Sequence, residues 1–158
     1  MTPRPDDATA GGAAHSASPR PDADHPSVVA DGLHHVRIPV RDPWASRDWY
    51  TLILGFVPVL DLEEEHGVVG VVLRHPRGFV IGLHEDPARA EALKDFAVLG
   101  LTVADVKQLQ EWCDYLDRRG VVHSDVREGH LGSYVDVVDP DGILVRLHTG
   151  IAPDAEDA

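Results

Sequence analysis

The chain has 158 residues, 43% of them hydrophobic and 26% charged, which suits one globular domain with its own core. The formal net charge of −13 argues against nucleic acid as a partner. The single cysteine, Cys113, excludes an internal disulfide, and no apolar run reaches the roughly 20 residues of a membrane span. The first residues also lack the apolar stretch of a secretory signal. We therefore expect a cytoplasmic protein that binds neither nucleic acid nor membrane.

The two ends of the chain differ in composition from its middle. Residues 1–31 are mostly Ala, Pro, Asp, Gly, Ser and His, and residues 150–158 are similar. Such segments bury too little apolar surface to offset the entropy lost on ordering. We predict two disordered tails around one domain at 32–149.

Between the tails the sequence repeats with a period close to 64 residues. The matching segments are Val40-Arg41-Asp42 with Val103-Ala104-Asp105, Gly55 with Gly120, Pro76-Arg77-Gly78 with Pro140-Asp141-Gly142, and Leu83-His84 with Leu147-His148. A whole supersecondary unit fits within one period. The repeat therefore indicates an internal duplication, with modules at about 32–87 and 95–149.

The first module reads as a strand, a helix and three further strands. Apolar residues alternate along 33–40, which predicts a strand with one buried face. Asp42 is a good N-cap, Pro43 a good first helical residue, and Gly55 a good terminator after Leu54. The three strands that follow are predicted near 56–62, 67–74 and 78–85.

The second module repeats this order. A strand is predicted at 96–103, and a helix begins after Asp105 and ends at Gly120. Its last three strands are predicted near 121–125, 131–138 and 142–148, with Asp139-Pro140-Asp141-Gly142 as the turn between the final two. The helices carry Trp44, Trp49 and Trp112, which we expect to pack against the sheets.

This doubled pattern resembles the vicinal-oxygen-chelate superfamily, which includes glyoxalase-like, bleomycin-resistance-like and extradiol dioxygenase-like proteins. The resemblance is carried by residues 33–42, by the Trp-Tyr and Leu-Gly-Phe stretch at 49–56, and by the turn at 139–142. It implies an α+β fold in which two tandem βαβββ modules form a curved, cup-shaped mixed sheet with the helices outside. It also implies a homodimer. The resemblance says little about the reaction, because function depends on the site carried by a fold.

Metal-dependent members of that superfamily place one ligand on the first and one on the last strand of each module. Carried over one by one, these positions fall on His35, Gly82, Val98 and Arg146. Only His35 is a usual ligand, since glycine and valine offer no donor and arginine stays protonated. We therefore expect no metal and no other cofactor. A divalent metal in a rebuilt site of His35, His84 and His148 stays open as an alternative.

Strand alternation predicts which other side chains line the concave surface. The expected ligand-binding residues are His35, Arg37, His84, Tyr134, Asp136, Arg146 and His148. His35 has a simpler reading as a histidine hydrogen-bonded to a backbone carbonyl. Arg146 either forms an ion pair, for which Asp136 is the nearest choice, or holds an acidic group of a ligand.

Three functions follow from these residues. The first is a small-molecule-binding protein that sequesters a drug or metabolite in the cup without the usual metal site. The second is a glyoxalase-like lyase or isomerase, either metal-free, with a histidine as acid–base and Arg146 stabilising an oxyanion, or with the rebuilt metal site. The third is a protein whose cup serves only as a dimer interface. The arginines favour a ligand with an acidic or oxygen-rich end.

Overall fold

The computed structural model describes residues 31–150, so the disorder predicted for the two ends of the chain lies outside the described residues. The elements follow in the order β1 (Val36–Val40), α1 (Pro43–Leu54), β2 (Val57–Glu64), β3 (Gly67–Arg74), β4 (Val80–Glu85), α2 (Pro87–Ala92), β5 (Ala97–Val103), α3 (Val106–Arg119), β6 (Arg127–Gly129), β7 (Gly132–Val138) and β8 (Leu144–Thr149).

The strands form two four-stranded sheets with the same strand order. The first sheet runs β1-β4-β3-β2 and the second β5-β8-β7-β6. In each sheet the first and last strands of the module pair in parallel, and the other neighbours pair antiparallel. The predicted α+β class with two βαβββ modules is therefore confirmed, each module contributing one mixed sheet.

Both long helices begin and end at the residues that the sequence predicts. The Asp42 side chain accepts hydrogen bonds from the backbone N–H groups of Trp44 and Ala45, at 2.9 and 3.2 Å. Asp105 caps α3 in the same way. Gly55 ends α1 at φ 76°, in the left-handed region that glycine adopts without a steric penalty. These caps fix where each helix meets its sheet.

One face of each sheet packs against the helices and forms the core. Alternate residues of β1, such as Ile38 and Val40, are fully buried on this face. The opposite face of each sheet, here called the open face, carries the remaining alternate side chains. The core residues with no exposed surface include Ile38, Val40, Tyr50, Val71, Leu73, Ile81, Leu83, Leu109, Leu116, Val135, Val137, Ile143 and Val145.

The turn after β7 joins the second module to the first. Within the turn, the Asp139 carboxylate accepts hydrogen bonds from the backbone N–H groups of Asp141 and Ile143, at 2.8 and 2.9 Å. It also accepts one from the hydroxyl of Tyr50 on α1, at 3.1 Å. Burial raises the pKa of Asp139, and burial next to that carboxylate raises the pKa of Tyr50 well above its usual value. The phenol therefore remains the donor.

Asp141 extends the same contact to the end of β1. Its carboxylate accepts a hydrogen bond from the backbone N–H of Arg41 at 3.1 Å, and Ser46 Oγ lies 3.4 Å away. The Arg41 guanidinium also approaches Asp141, with Nε 3.6 Å from the carboxylate. Both aspartates are buried, and buried carboxylates persist only where donors satisfy them.

Two predicted strand positions are wrong. The first strand begins at Val36 and not at 33, so His35 precedes it. The strand predicted near 121–125 is reduced to a single backbone bridge between His123 and Val137, and β6 lies later, at Arg127–Gly129. The backbone N–H of Asp136 donates to Ser124 Oγ, so a side chain replaces a carbonyl there and interrupts the ladder.

Three further details were not foreseen. The short helix α2, capped by Asp86, follows β4. Val98 was placed on the inward face, but it lies at a register shift in β5 and packs against the core. Trp49 and Trp112 pack on the core as expected, whereas Trp44 is 40% exposed under the Arg47 guanidinium. The expectation that all three tryptophans pack on the sheets is therefore wrong for Trp44.

We predict that Tyr50→Phe lowers the free energy of unfolding by about 1–3 kcal/mol, because the buried Asp139 carboxylate loses a donor. Tyr115→Phe is the matched control. It removes one hydroxyl bond to the Leu52 carbonyl at a more exposed position and should cost less. Urea denaturation of both variants measures the difference, and equal losses would contradict a special role for the Tyr50 contact.

Candidate functional site

The predicted ligand-binding residues fall into two sets, one on each sheet. The first-sheet set contains His35, Arg37 and His84, and the second-sheet set contains Tyr134, Asp136, Arg146 and His148. Within residues 31–150, no hydrogen bond or ion pair links the two sets. Each is held by contacts within its own module.

The first-sheet set gathers around Gly82. Arg37 lies opposite Gly82 in the parallel pairing of β1 with β4. A Cβ atom at Gly82 would lie 3.0 Å from His84 Nε2 and 3.7 Å from His35 Cδ2. The two imidazoles therefore occupy the space beside a position that has no side chain. A larger residue at Gly82 would displace His84.

His84 is the histidine of this set whose protonation is perturbed. Partial burial lowers the pKa of His84, and the charges of Arg37 and His35 lower it further. The His84 imidazole is therefore neutral at neutral pH and has a nitrogen able to accept a hydrogen bond or a proton. The neighbouring ring of His35 has its Nδ1 atom 2.8 Å from that of His34.

The second-sheet set is organised by an ion pair. Arg146 donates from Nε and Nη2 to the two carboxylate oxygens of Asp136, at 2.8 and 3.0 Å. These residues are direct neighbours in the β7–β8 register. The hydrogen bonds to Asp136 raise the pKa of Arg146, so the guanidinium stays charged. The ion pair considered from the sequence for Arg146 is thus present.

Aromatic rings complete the second-sheet set. The Arg146 guanidinium carbon lies 3.9 Å from the ring centroid of Tyr134, which is cation–π distance. The other neighbour of Tyr134 is His148, whose ring is nearly parallel, at 24° and 5.8 Å between centroids. His148 is fixed in turn, with Nδ1 2.8 Å from the Thr149 carbonyl oxygen. The result is a rigid row of flat groups able to stack on a planar ligand.

The donor atoms on these faces do not fit a chelated metal. Gly82 has no side chain, Val98 has no donor, and Arg146 is protonated and paired with Asp136. Among residues 31–150, no group of three or more His, Cys, Asp or Glu side chains is placed to hold a metal ion. The alternative set of His35, His84 and His148 is divided between the two sheets and, among the described residues, is not close enough to share one metal ion.

The structure also contains a cleft of about 780 Å³ that the sequence did not predict. It lies between the start of β4 and the β5–α3 part of the second module. The signal for it was the position equivalent to Tyr50. Counted from the helix N-caps, Asp42 and Asp105, that position is Cys113, a smaller side chain.

Comparison with known proteins identifies the fold. Residues 32–147 match the family model described as Glyoxalase/Bleomycin resistance protein/Dioxygenase superfamily. No curated protein matches the chain. None of the helices in the described part has the length and hydrophobicity that crossing a membrane requires.

Solved structures agree with this fold. An antibiotic-binding protein, TnmS3 from Streptomyces sp. CB03234, superposes with a TM-score of 0.63 at 21% identity, over 78% of this chain and 98% of the other. The fosfomycin resistance protein FosX from Listeria monocytogenes gives 0.63 at 17% identity, over 77% and 95%. A possible glyoxalase from Bacillus cereus gives 0.62 at 20% identity, over 75% and 99%. At these identities the likeness establishes fold alone.

We predict that Arg146→Ala lowers the free energy of unfolding by about 1–3 kcal/mol, because it leaves the buried Asp136 carboxylate without its partner. Replacing both residues, in Asp136→Asn with Arg146→Gln, should cost less than Arg146→Ala, since no buried charge is then left unpaired. A double-mutant cycle by urea denaturation measures the coupling. Purely additive effects would mean that the pair is not an energetic unit.

Proposed function

The chain belongs to the glyoxalase/bleomycin resistance protein/dioxygenase superfamily, and from this premise we propose that it binds a drug or metabolite on its open faces and works without a bound metal. The observation that carries the proposal is the Arg146–Asp136 ion pair packed on Tyr134. At a position where metal-dependent relatives would carry a ligand, this chain has a rigid ionic and aromatic surface. Such a surface favours stacking and hydrogen bonding over chelation.

The charge distribution supports a ligand with one acidic or oxygen-rich end. Asp136 neutralises Arg146, so the second-sheet set presents little net charge. Arg37 is exposed on the first sheet and makes no ion pair within residues 31–150. The neutral His84 beside it can accept a hydrogen bond. We therefore assign the acidic end of the ligand to Arg37, and its planar part to Tyr134 and His148.

Membership of the superfamily and the antibiotic-binding TnmS3 make sequestration the leading reading. A second candidate is a metal-free lyase or isomerase in which a histidine moves a proton. The observation that favours it is the lowered pKa of His84, which provides a neutral base beside Arg37. Arg146 is a weaker oxyanion stabiliser than the sequence suggested, because Asp136 neutralises its charge and already engages the Nε–Nη2 edge of its guanidinium.

We predict that 2-naphthoate, a flat aromatic carboxylate, binds saturably in calorimetric titration. Arg37→Gln and Tyr134→Leu should each weaken binding about 3- to 10-fold, because one removes the cation and the other the stacking surface. Arg118→Gln is the matched control, since Arg118 lies at the exposed end of α3 and should leave affinity unchanged.

Unchanged affinity in both open-face variants would contradict the proposed site. NMR spectroscopy of the recovered ligand distinguishes binding from catalysis, because a lyase or isomerase changes the bonding of the ligand, whereas an unaltered spectrum supports sequestration. The untagged protein is also analysed for Mn, Fe, Ni and Zn after incubation with their salts. Retention near one metal per chain, lost on His35→Ala or His148→Ala, would contradict the metal-free part of the proposal.

A homodimer is part of the proposed assembly. The feature of this chain that supports a dimer is β2, an edge strand of the first sheet. Three of its apolar residues, Val57, Val59 and Leu60, are 49–56% exposed. An exposed apolar edge strand is a surface that proteins usually cover.

We predict that the protein sediments as a dimer and that Val59→Lys shifts it toward monomer, because a charge on this edge opposes association. Val122→Lys is the matched control, since Val122 is a similarly exposed valine outside β2. Sedimentation velocity over a range of concentrations measures both. A monomeric wild-type protein at high concentration would contradict the dimer.

A further inference from the structure

The two modules carry related turns that behave differently. In the second module, the turn at 139–142 contacts α1 through Asp139 and Tyr50, and the end of β1 through Asp141. The related turn of the first module, at 75–78, has His75 where the second has Asp139. Within residues 31–150, no hydrogen bond joins this first turn to α3. The turn of the second module therefore binds the first module, whereas the turn of the first module makes no equivalent hydrogen bond among the described residues.

The residues of the first turn explain why it remains open. His75 uses its ring locally: Nδ1 accepts a hydrogen bond from the Arg77 backbone at 3.2 Å, and the ring stacks on Phe79 at 4.5 Å. The α3 position equivalent to Tyr50 is Cys113, which is too short to replace a phenol. The cleft of about 780 Å³ is lined by His75 of this turn and by Gln108 and Trp112 of α3.

The walls of the cleft are mainly apolar. Phe79 and Trp112 provide half-buried aromatic rings, and strand residues supply the rest. The apolar residues that matter here are Val36, Phe79, Val80, Leu99, Leu101 and Trp112. The volume lies within the roughly 300–1,000 Å³ that small-molecule sites occupy. A molecule with an apolar body therefore has both space and contact surface.

The charges of the residues that line the cleft indicate which kind of apolar molecule it can bind. None of the described residues lining the cleft is acidic, although the chain has 27 acidic residues. Arg77 is exposed and is the lining residue with a permanent positive charge, whereas burial and Arg77 lower the pKa of His75. Gln108 accepts from the Ala104 backbone through Oε1, which leaves its amide NH₂ group to donate. The polar groups are thus suited to an anion.

We infer that this cleft is a second binding site, distinct from the first-sheet and second-sheet sets, for an amphipathic monoanion with an apolar body and one carboxylate-like end. The apolar body packs between Phe79, Leu101 and Trp112. The anionic end pairs with Arg77 and accepts a hydrogen bond from the Gln108 amide. The open-face residues Arg37 and Arg146 do not line this cleft.

Decanoate tests the site in the full-length protein, with decyltrimethylammonium as a probe of equal chain length and opposite charge. Calorimetry and Trp fluorescence should show saturable binding of about one decanoate per chain and much weaker binding of the cation. Arg77→Gln should weaken decanoate binding about 10-fold, because an ionic partner is lost. Arg118→Gln, an exposed arginine outside the cleft, should leave it unchanged.

Two further variants locate the binding. Leu101→Trp should weaken it at least 10-fold, because Leu101 is a half-buried residue that lines the cleft and a larger ring there takes up part of its space. Arg37→Gln, on the open face, should have no effect. Decanoate binding that survives both Arg77→Gln and Leu101→Trp overturns the proposal, as does loss on Arg37→Gln or equal affinity for the cationic probe. Circular dichroism confirms that each variant is folded.

Discussion

The Asp139 carboxylate is held at the junction of the two modules by two backbone N–H groups of its own turn and by the Tyr50 hydroxyl. A buried carboxylate in this position is tolerated only because these three groups donate to it, and its raised pKa reflects the remaining cost of burial. The bond to Tyr50 ties the second module to α1. It acts together with the Asp141 contact at the end of β1 and with an apolar core that residues of both modules share.

The contact between a turn and a helix of the other module forms only once, although the two modules have the same strand order. Where the second module has Asp139 facing Tyr50, the first has His75 and α3 has Cys113. The His75 ring stacks on Phe79, and Cys113 has no hydroxyl group that could donate to it. Between this turn and α3 lies an apolar cleft lined by Arg77, and none of the described residues that line it is acidic, although the chain as a whole is strongly acidic.

On the open faces, a second ion pair determines the available chemistry. Arg146 lies where metal-dependent relatives would carry a ligand, and Asp136 holds it against Tyr134. The pair is preorganised and nearly neutral, so it orients aromatic surface and leaves Arg37 to attract an anion. His84, kept neutral by burial and by Arg37, adds an acceptor beside that cation. These features together support binding of a small molecule without chelation.

The sequence by itself determined the α+β class, the two modules and the ends of both long helices, because capping by Asp42 and Asp105 and termination by Gly55 and Gly120 are local interactions. It also predicted the ligand-binding residues that make up the two sets, and their role in binding stays a prediction. Only the tertiary structure decided which of them meet, how Asp136 neutralises Arg146, that Val98 turns to the core at a bulge, and that one inter-module contact is open. Those outcomes depend on strand register and on the packing of one module against the other. Both involve residues that are distant in sequence.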